Sequence, residues 1–520
     1  MNSISTLLSQ FRQLKLKLAL ESMLIGVMSG LVVVFYRLIL EKAEQLRVSF
    51  MSTIHSGWQV LIGFLVLILI ALLVGQLMIK DPMICGSGIP QVEGILANKL
   101  KMNPLSVLIR KFIGGTLCLG AGLSVGREGP SIQLGAAMAQ YVSQLTKRSK
   151  LEEKYLLSSG ASAGLSAAFN APLAGVLFSL EEVHRHFSPL VLISAMSASL
   201  TADFISKNFF GLKPVFNFNT INAIPLNHYW LIVILGIITG LCGVFYNKTI
   251  KTTLKSYDQL TGLKKQYRPI IPFLLAGILG FVLPQILGGG HSLIESLIHE
   301  NFTIQMLLLL LIAKFLFSMI SFGSGVPGGI FFPILVLGAL TGSIFGNAAL
   351  QLQLIDETFI QHFIILAMAG YFTAIVRAPI TGSILITEMT GSLTHLLSLS
   401  LISLIAYTVA EGFKSEPVYD YLLARQLQST EPLISSSEQK TILEVPIFTD
   451  SKIDGHYVHE LNLPNQCLLI AIKRGSHEII PRGNTKLFAG DYLVVLLEES
   501  IAASVQEELN LYCHTLNQKV

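Results

Sequence analysis

The chain has 520 residues, of which 52% are hydrophobic and only 13% charged, and its formal net charge is +4. That balance excludes an ordinary soluble domain, and so modest a charge, carried in short basic clusters, excludes a nucleic-acid-binding surface. Several apolar runs are long enough to cross a bilayer, some only with their flanks, so the expected class is an all-α polytopic membrane protein. A membrane β-barrel is disfavoured, because its segments would be shorter and strictly alternating.

Residues 1–17 read as an amphipathic N-terminal helix, with Leu7, Phe11 and Leu14 on one side and Lys15 and Lys17 flanking them. No cleavable signal is expected before the first span, and the basic start places the amino terminus in the cytoplasm. Leu18 to about Leu40 is the first span, Glu41–Ser56 a polar loop and Val60–Met78 the second span. Asp81–Pro90 is broken by glycine and proline directly against apolar sequence, so it is expected to line a cavity or a protein interface rather than face lipid. Residues 91–111, which include Arg110 and Lys111, are expected near the membrane surface.

Phe112–Val125 leads into Gly126-Arg127-Glu128-Gly129-Pro130. A carboxylate at membrane depth is costly, so Glu128 is a functional candidate, while the flanking glycines and proline indicate unwound chain and a helix start. Ser131–Leu145 continues as helix, and Lys147–Lys154 reads as a loop. Small residues dominate from Ser158 to Gly175, and Val176–Leu180 runs into Glu181-Glu182, followed by His184 and His186. Pro189–Phe204, Tyr229–Tyr246, Ile270–Ile286 and Met306–Ile320 read as spans, with Lys248–Arg268 polar between two of them. Gly288-Gly289-Gly290 and Ser321–Pro333 are further breaks. Ile334–Leu350, Phe363–Val376, Ile380–Met389 and Leu396–Ala410 are helical.

From about Leu427 the chain becomes more polar. Cys467–Lys473 and Tyr492–Leu497 read as strands, with turns at Arg474-Gly475-Ser476 and Ala489-Gly490-Asp491. The expected domains are therefore the helix at 1–17, a membrane domain at 18–426 with halves at about 18–228 and 229–426, a linker at 427–441, and a small α+β cytoplasmic module at 442–520. The cysteines Cys85, Cys118, Cys242, Cys467 and Cys513 have no paired spacing and read as packing thiols, without metal or disulfide.

The two halves echo each other. Gly126, Glu128, Pro130 and Gly135 match Gly329, Phe331, Pro333 and Gly338 at an offset of 203, and Ala171, Pro172, Gly175 and Glu181 match Ala378, Pro379, Gly382 and Glu388 at an offset of 207. Duplicated halves with broken membrane helices mark a transporter whose site lies where the repeats meet. The breaks at Gly88–Pro90, Gly126–Pro130 and Gly329–Pro333 are candidate helix starts, whose free N–H groups and partial positive charge favour an anion. None of the three contains a lysine, and a modest field of amides and hydroxyls binds a small anion weakly enough to release it.

Three motifs, Gly86-Ser87-Gly88-Ile89-Pro90, Gly126-Arg127-Glu128-Gly129-Pro130 and Gly329-Ile330-Phe331-Phe332-Pro333, together with Pro417-Val418-Tyr419, give residues 18–426 a specific resemblance to the CLC family of chloride channels and chloride/proton antiporters. The resemblance implies that Ser87 and Tyr419 supply side-chain donors to a central anion and that the amides of Ile330 and Phe331 complete its site. It makes Glu128 the external gating glutamate and Glu182 an internal proton relay, with Gly86, Gly88, Pro90, Arg127, Gly129, Pro130 and Gly329 in supporting roles. An acid at both Glu128 and Glu182 favours exchange of chloride for protons; the alternative is a gated chloride channel without proton coupling. Residues 443–498 resemble instead the C-terminal subdomain of potassium-transport regulators. That resemblance implies a regulatory nucleotide or cyclic dinucleotide, or a purely dimerising role. The expectation is a homodimer in a bacterial plasma membrane, with both termini cytoplasmic, chloride, protons and lipid as partners, and no enzymatic activity.

Overall fold

The computed structural model describes residues 2–185, 188–216, 218, 224–260, 262–429, 440–449, 451–461, 463, 467–475, 477–498 and 501–514; the side chains of 2–14, 151, 429, 441, 503 and 514 are outside that set. The chain forms two compact units, one helical up to about residue 424 and one built mainly from residue 425 on.

The helical unit is two series of eight helices in the same order. The first is α1 (Asn2–Ser52), α2 (Gly57–Lys80), α3 (Ile89–Leu96), α4 (Pro104–Gly120), α5 (Glu128–Leu145), α6 (Lys150–Phe169), α7 (Pro172–Phe178) and α8 (Pro189–Phe210). The second is α9 (Tyr229–Gln259), α10 (Ile270–Val282), α11 (His291–His299), α12 (Ile304–Gly323), α13 (Phe331–Gln351), α14 (Ile360–Val376), α15 (Pro379–Thr390) and α16 (Leu396–Gly412), after which comes α17 (Val418–Ser429). Even the single turns after α2 and α10, Pro82–Ile84 and Pro284–Ile286, correspond. Among the described residues eight helices are long and apolar enough to cross a membrane. The others are short or start at breaks inside the protein, as backbone at membrane depth must when it is not a complete span.

Several expected loops are helix. Glu41–Ser52 continues α1 without interruption, so the first connection is only residues 53–56. No glycine or proline follows Gly30 in this helix, and Arg47 and Glu44 pair along it at 3.1 Å. The N-terminal segment likewise joins α1 rather than forming a separate helix. In the same way α9 runs on to Gln259 and α6 begins at Lys150. Hydropathy marks where the bilayer ends, whereas breakers mark where a helix ends, and the two need not coincide.

The repeats pair with each other through their breaks. Gly126 and Gly329, equivalent positions, form a reciprocal antiparallel bridge: the Gly126 N–H donates to the Gly329 carbonyl at 2.6 Å, and the Gly329 N–H to the Gly126 carbonyl at 2.8 Å. Such an exchange is what a twofold relation between the halves generates. Around it, Gly86 accepts from Gly328 at 3.0 Å and donates to Gly325 at 3.1 Å, while Gly288 donates to Gly122 at 2.7 Å. Close helix packing repeats as well. A side chain at Gly135 would strike the Gly160 backbone of α6, and one at Gly338 the Ala367 backbone of α14 at 2.8 Å, so small residues let the helices approach.

Lys111 corrects the surface assignment of 91–111, because it is completely buried. Its amino group donates to the carbonyls of Ile84 (2.9 Å) and Gly86 (2.7 Å). Its repeat equivalent Lys314, also completely buried, donates to Ile286 and Gly288, both at 2.8 Å. A buried amino group is tolerated only with such partners, and here each lysine clamps a broken loop in place.

Glu181 and Glu388 cap each other's repeats. Glu181 accepts from the Ile380 and Thr381 amides of α15 at 3.2 and 2.8 Å, and Glu388 from the Leu173 and Ala174 amides of α7 at 3.0 and 2.8 Å. Each carboxylate satisfies helix-start donors and opposes their partial positive charge. Glu181→Gln and Glu388→Gln are each expected to lower stability by about 1 kcal/mol. The double variant should lose less than the sum, because the two caps hold the same pair of helices. Thermal unfolding of the purified protein measures both effects, and strict additivity would contradict the shared role.

The second unit contains an antiparallel sheet of β1 (Lys440–Pro446), β2 (Cys467–Arg474), β3 (His477–Ile479) and β4 (Asp491–Glu498) in the spatial order β1-β4-β2-β3, with α18 (Ala502–His514). Leu443, Val445, Ile472, Leu493, Val495, Val505 and Leu509 build its core. Buried Asp491 accepts two hydrogen bonds from Arg474, both at 2.7 Å, a fork that fixes the end of β4 against β2. Burial pushes the Cys513 thiol up to about 12, as befits a packing residue. β1 and β3 lay outside the sequence reading: β1 mixes Lys440 and Glu444 into its apolar residues, and β3 has only three residues.

Candidate functional site

The site begins with the loop that joins the turn at Pro82–Ile84 to α3. Gly86 (φ +64°) and Gly88 (φ +101°) are left-handed, a conformation that costs glycine little, and Pro90 lies in the first turn of α3. This geometry turns Ser87 inward. It is buried, and its hydroxyl has no hydrogen-bond partner among the described residues. A side chain on Gly129 would collide with the Ser87 hydroxyl and with its carbonyl at 2.7 Å, so the glycine is what brings the start of α5 against Ser87.

α5 begins at Glu128, with Pro130 in its first turn and Arg127 as the residue before it. Glu128 is completely buried, and neither carboxylate oxygen makes a well-aligned hydrogen bond among the described residues. The amides of Glu128 itself and of Phe332 lie close enough to interact with it, and the Arg127 Nε lies 3.8 Å from Oε1. α13 begins at Phe331, directly after Ile330. Its first-turn amides, like those of α5, have no acceptor within their own helix. Gly329 lies beside the start of α5, where an added side chain would stand 3.3 Å from the Gly129 nitrogen. The Phe331 ring is held among Phe169, Phe178 and Phe372 at centroid distances of 5.3, 6.0 and 4.7 Å.

Tyr419, in the first turn of α17, is completely buried, and its hydroxyl also has no partner among the described residues. It is within charge-interaction range of Glu128 on one hand and of Glu182 and Glu93 on the other. Ser87, packed against the start of α5, and Tyr419, within charge-interaction range of Glu128, are two of several buried hydroxyls with no partner among the described residues, and free hydroxyls and helix-start amides are donors of the kind that suit a small anion. A cavity of about 70 Å³ adjoins Glu128 and is lined by Glu41 and Glu44 of α1, Arg127, His291 and Phe332.

Glu181 and Glu182 point to different tasks. Glu181 is the cap on α15, whereas Glu182 is buried in a wide turn, Ser179–Val183, that continues α7. Its carboxylate lies 3.4 Å from the Arg185 guanidinium. Arg185 adopts a left-handed backbone (φ +55°) and also reaches Asp420 at 2.5 Å and Glu93 at 3.8 Å. One guanidinium therefore gathers three carboxylates, Glu93 from α3, Glu182, and Asp420 next to Tyr419. His184 Nδ1 lies 3.1 Å from the Ser158 hydroxyl, while His186 is outside the described residues.

Sequence reasoning missed Lys111, Lys314, Glu93, Arg185 and Asp420. The lysines carried a signal, since they stand at the repeat offset of 203. The Arg185 cluster carried little, because only Glu182 is near Arg185 in sequence, while Glu93 and Asp420 come from distant segments.

Residues 70–411 match the family description "Voltage gated chloride channel", and residues 442–510 match the TrkA-C domain. The H(+)/Cl(-) exchange transporter ClcA of Citrobacter koseri is 34% identical over 441 residues, covering 82% of this chain and 92% of that protein. ClcA of Salmonella agona is 35% identical over 413 residues, covering 78% and 87%. Among solved structures, a slow cyanobacterial Cl-/H+ antiporter superposes with a TM-score of 0.76 at 29% identity, covering 79% of this chain and 98% of that one. A CLC-type fluoride/proton antiporter, at 23% identity and a TM-score of 0.65, shares the fold.

Proposed function

The chain belongs to the voltage-gated chloride channel (CLC) family, and on that premise we propose that its two buried acids, Glu128 and Glu182, couple chloride to protons. The protein is a chloride/proton antiporter of the bacterial inner membrane, a secondary active transporter and not an enzyme. One observation carries the assignment of residues. Two buried hydroxyls without hydrogen-bond partners, Ser87 and Tyr419, occur together with the buried carboxylates Glu128 and Glu182.

The Ser87 and Tyr419 hydroxyls and the amides of Ile330 and Phe331 hold the dehydrated chloride. These are neutral donors, so binding is weak and release fast. Glu128 stands at the start of α5, where its ionised carboxylate competes with an anion for the same donors. Two anions in one desolvated slot repel, so chloride advances when Glu128 takes a proton and swings out of the slot. Glu182 receives the proton from the other side, held by Arg185 and within range of Tyr419. Gly86, Gly88, Pro90, Gly129, Pro130 and Gly329 shape the loops that bring these groups together, and Arg127 is the nearby counter-charge of Glu128.

In reconstituted vesicles, chloride driven down its gradient should move protons against theirs. Chloride flux with no proton movement would leave a channel with a Glu128 gate. Glu182→Gln should reduce proton movement to the leak level while chloride still crosses; unchanged coupling would reduce Glu182 to a structural partner of Arg185.

Two copies act as a homodimer, each with its own pathway, as the family resemblance suggests. Both termini are cytoplasmic. The TrkA-C module is where a regulatory nucleotide or cyclic dinucleotide would act. Calorimetric titration of the full-length protein with cyclic dinucleotides and adenine nucleotides tests this, and the absence of heat with all of them would leave dimerisation as the module's role.

A further inference from the structure

A second cavity lies away from the anion site, between α1, α2, α4 and α10. Its volume is about 440 Å³, within the range of pockets that bury a whole ligand. The side chains that line it are apolar except for Thr116 and Arg47. Thr116 is satisfied by the Phe112 carbonyl at 2.8 Å. Arg47 is not: its Nε is buried with no hydrogen-bond partner among the described residues, and its guanidinium is otherwise engaged by the half-exposed Glu44. Four lining residues, Leu46, Phe50, Val66 and Phe281, are exposed on the outside of the helices, so the cavity opens sideways towards lipid.

Its depth is also defined. α1 ends at Ser52 and α2 starts at Gly57, with the exposed Trp58 in its first turn, where an interfacial aromatic belongs. Arg47 lies five residues before the end of α1, or roughly 8 Å of helix rise below it. That puts the guanidinium within reach of the headgroup level, part-way along an apolar cavity that runs from Ile54 and Val60 at its surface end to Ala43 and Ile70 at its deeper end.

We propose that this cavity holds an acyl chain of an anionic phospholipid from the surrounding bilayer, with the lipid phosphate paired to Arg47. The charge decides the headgroup. An apolar slot alone would accept any acyl chain, but a guanidinium with an unused buried donor selects phosphate, which it can bind in a fork. Glu44 does not prevent this, since a half-exposed ion pair is weak, about 0–1 kcal/mol. The occupant would also touch the anion path. The Arg47 guanidinium lies against Gly122, whose carbonyl accepts from Gly288, and Gly288 lines the cavity next to Glu128.

The test uses full-length protein equilibrated with equal amounts of phosphatidylglycerol and phosphatidylcholine, followed by native mass spectrometry of retained lipid. The wild type is expected to retain phosphatidylglycerol preferentially. Gly63→Phe should lose that retention, because a side chain at Gly63 projects into the cavity with only the Phe50 ring nearby, at 3.4 Å. Arg47→Gln should still retain lipid but lose the preference for phosphatidylglycerol. Wild type without a headgroup preference, Gly63→Phe with undiminished retention, or Arg47→Gln with the preference intact would each overturn the proposal.

Discussion

Glu128→Ala is expected to abolish proton movement altogether while chloride continues to cross. In the proposed mechanism the carboxylate at the start of α5 both competes with an anion and carries a proton, and it is completely buried with no well-aligned hydrogen bond to hold it in place. Alanine removes the competitor and the proton carrier together, so the barrier to chloride is left permanently lowered. The pH dependence should vanish with it. In the wild type, protonation of Glu128 on acidification should favour the vacated slot, so chloride flux is expected to rise as pH falls. In Glu128→Gln, which mimics the protonated form at every pH, flux should be flat across the same range. Parallel chloride and pH recordings from vesicles separate these outcomes. Proton coupling retained in Glu128→Ala would remove Glu128 from the mechanism.

Lys111→Met is expected to have the largest effect on the fold around the anion. The amino group is the partner of two loop carbonyls, Ile84 and Gly86, at 2.9 and 2.7 Å, and both would be left in a buried environment. Gly86 keeps its Gly328 donor at 3.0 Å, so the Ile84 carbonyl alone is orphaned, at a cost of about 1–3 kcal/mol, against which the added apolar contact of methionine is a partial offset. Because Gly86 precedes Ser87, the loss should appear in chloride affinity as well as in thermal stability. Lys314→Met should destabilise the protein by at least as much through Ile286 and Gly288, but its loop borders the cavity at Glu128 rather than Ser87. The expected signature is a pair of destabilised variants, of which only Lys111→Met weakens chloride binding at equilibrium. Equal chloride affinities would show that the lysines act only on stability.

Much of this protein was readable from residue order. Length and hydropathy identify a polytopic helical membrane protein, and the glycine–proline breaks mark where helices start inside it. The offsets of 203 and 207 expose the duplication, and the composition change near Leu427 announces the second unit. These features are local or periodic, so they survive in one dimension. Helix ends at the membrane surface were less legible: Glu41–Ser52 is polar enough to resemble a loop, yet nothing in it breaks a helix, and it remains part of α1.

Side-chain partnership was decided only by the tertiary structure. Glu181 and Glu182 are adjacent and chemically alike, yet one caps α15 in the opposite repeat and the other faces Arg185. Lys111 follows Arg110 in sequence, but Arg110 stays part-exposed, 3.6 Å from Asp81, while Lys111 is completely buried on backbone carbonyls. The duplication by itself determined that Gly126 and Gly329 are equivalent positions. Folding alone determined that they touch and that the acid at Glu128 faces an amide across the bridge in the other half. The physical reason is that equivalence is a property of order along the chain. Burial and charge pairing depend on which distant segments meet, and here those meetings occur across the twofold relation between the repeats.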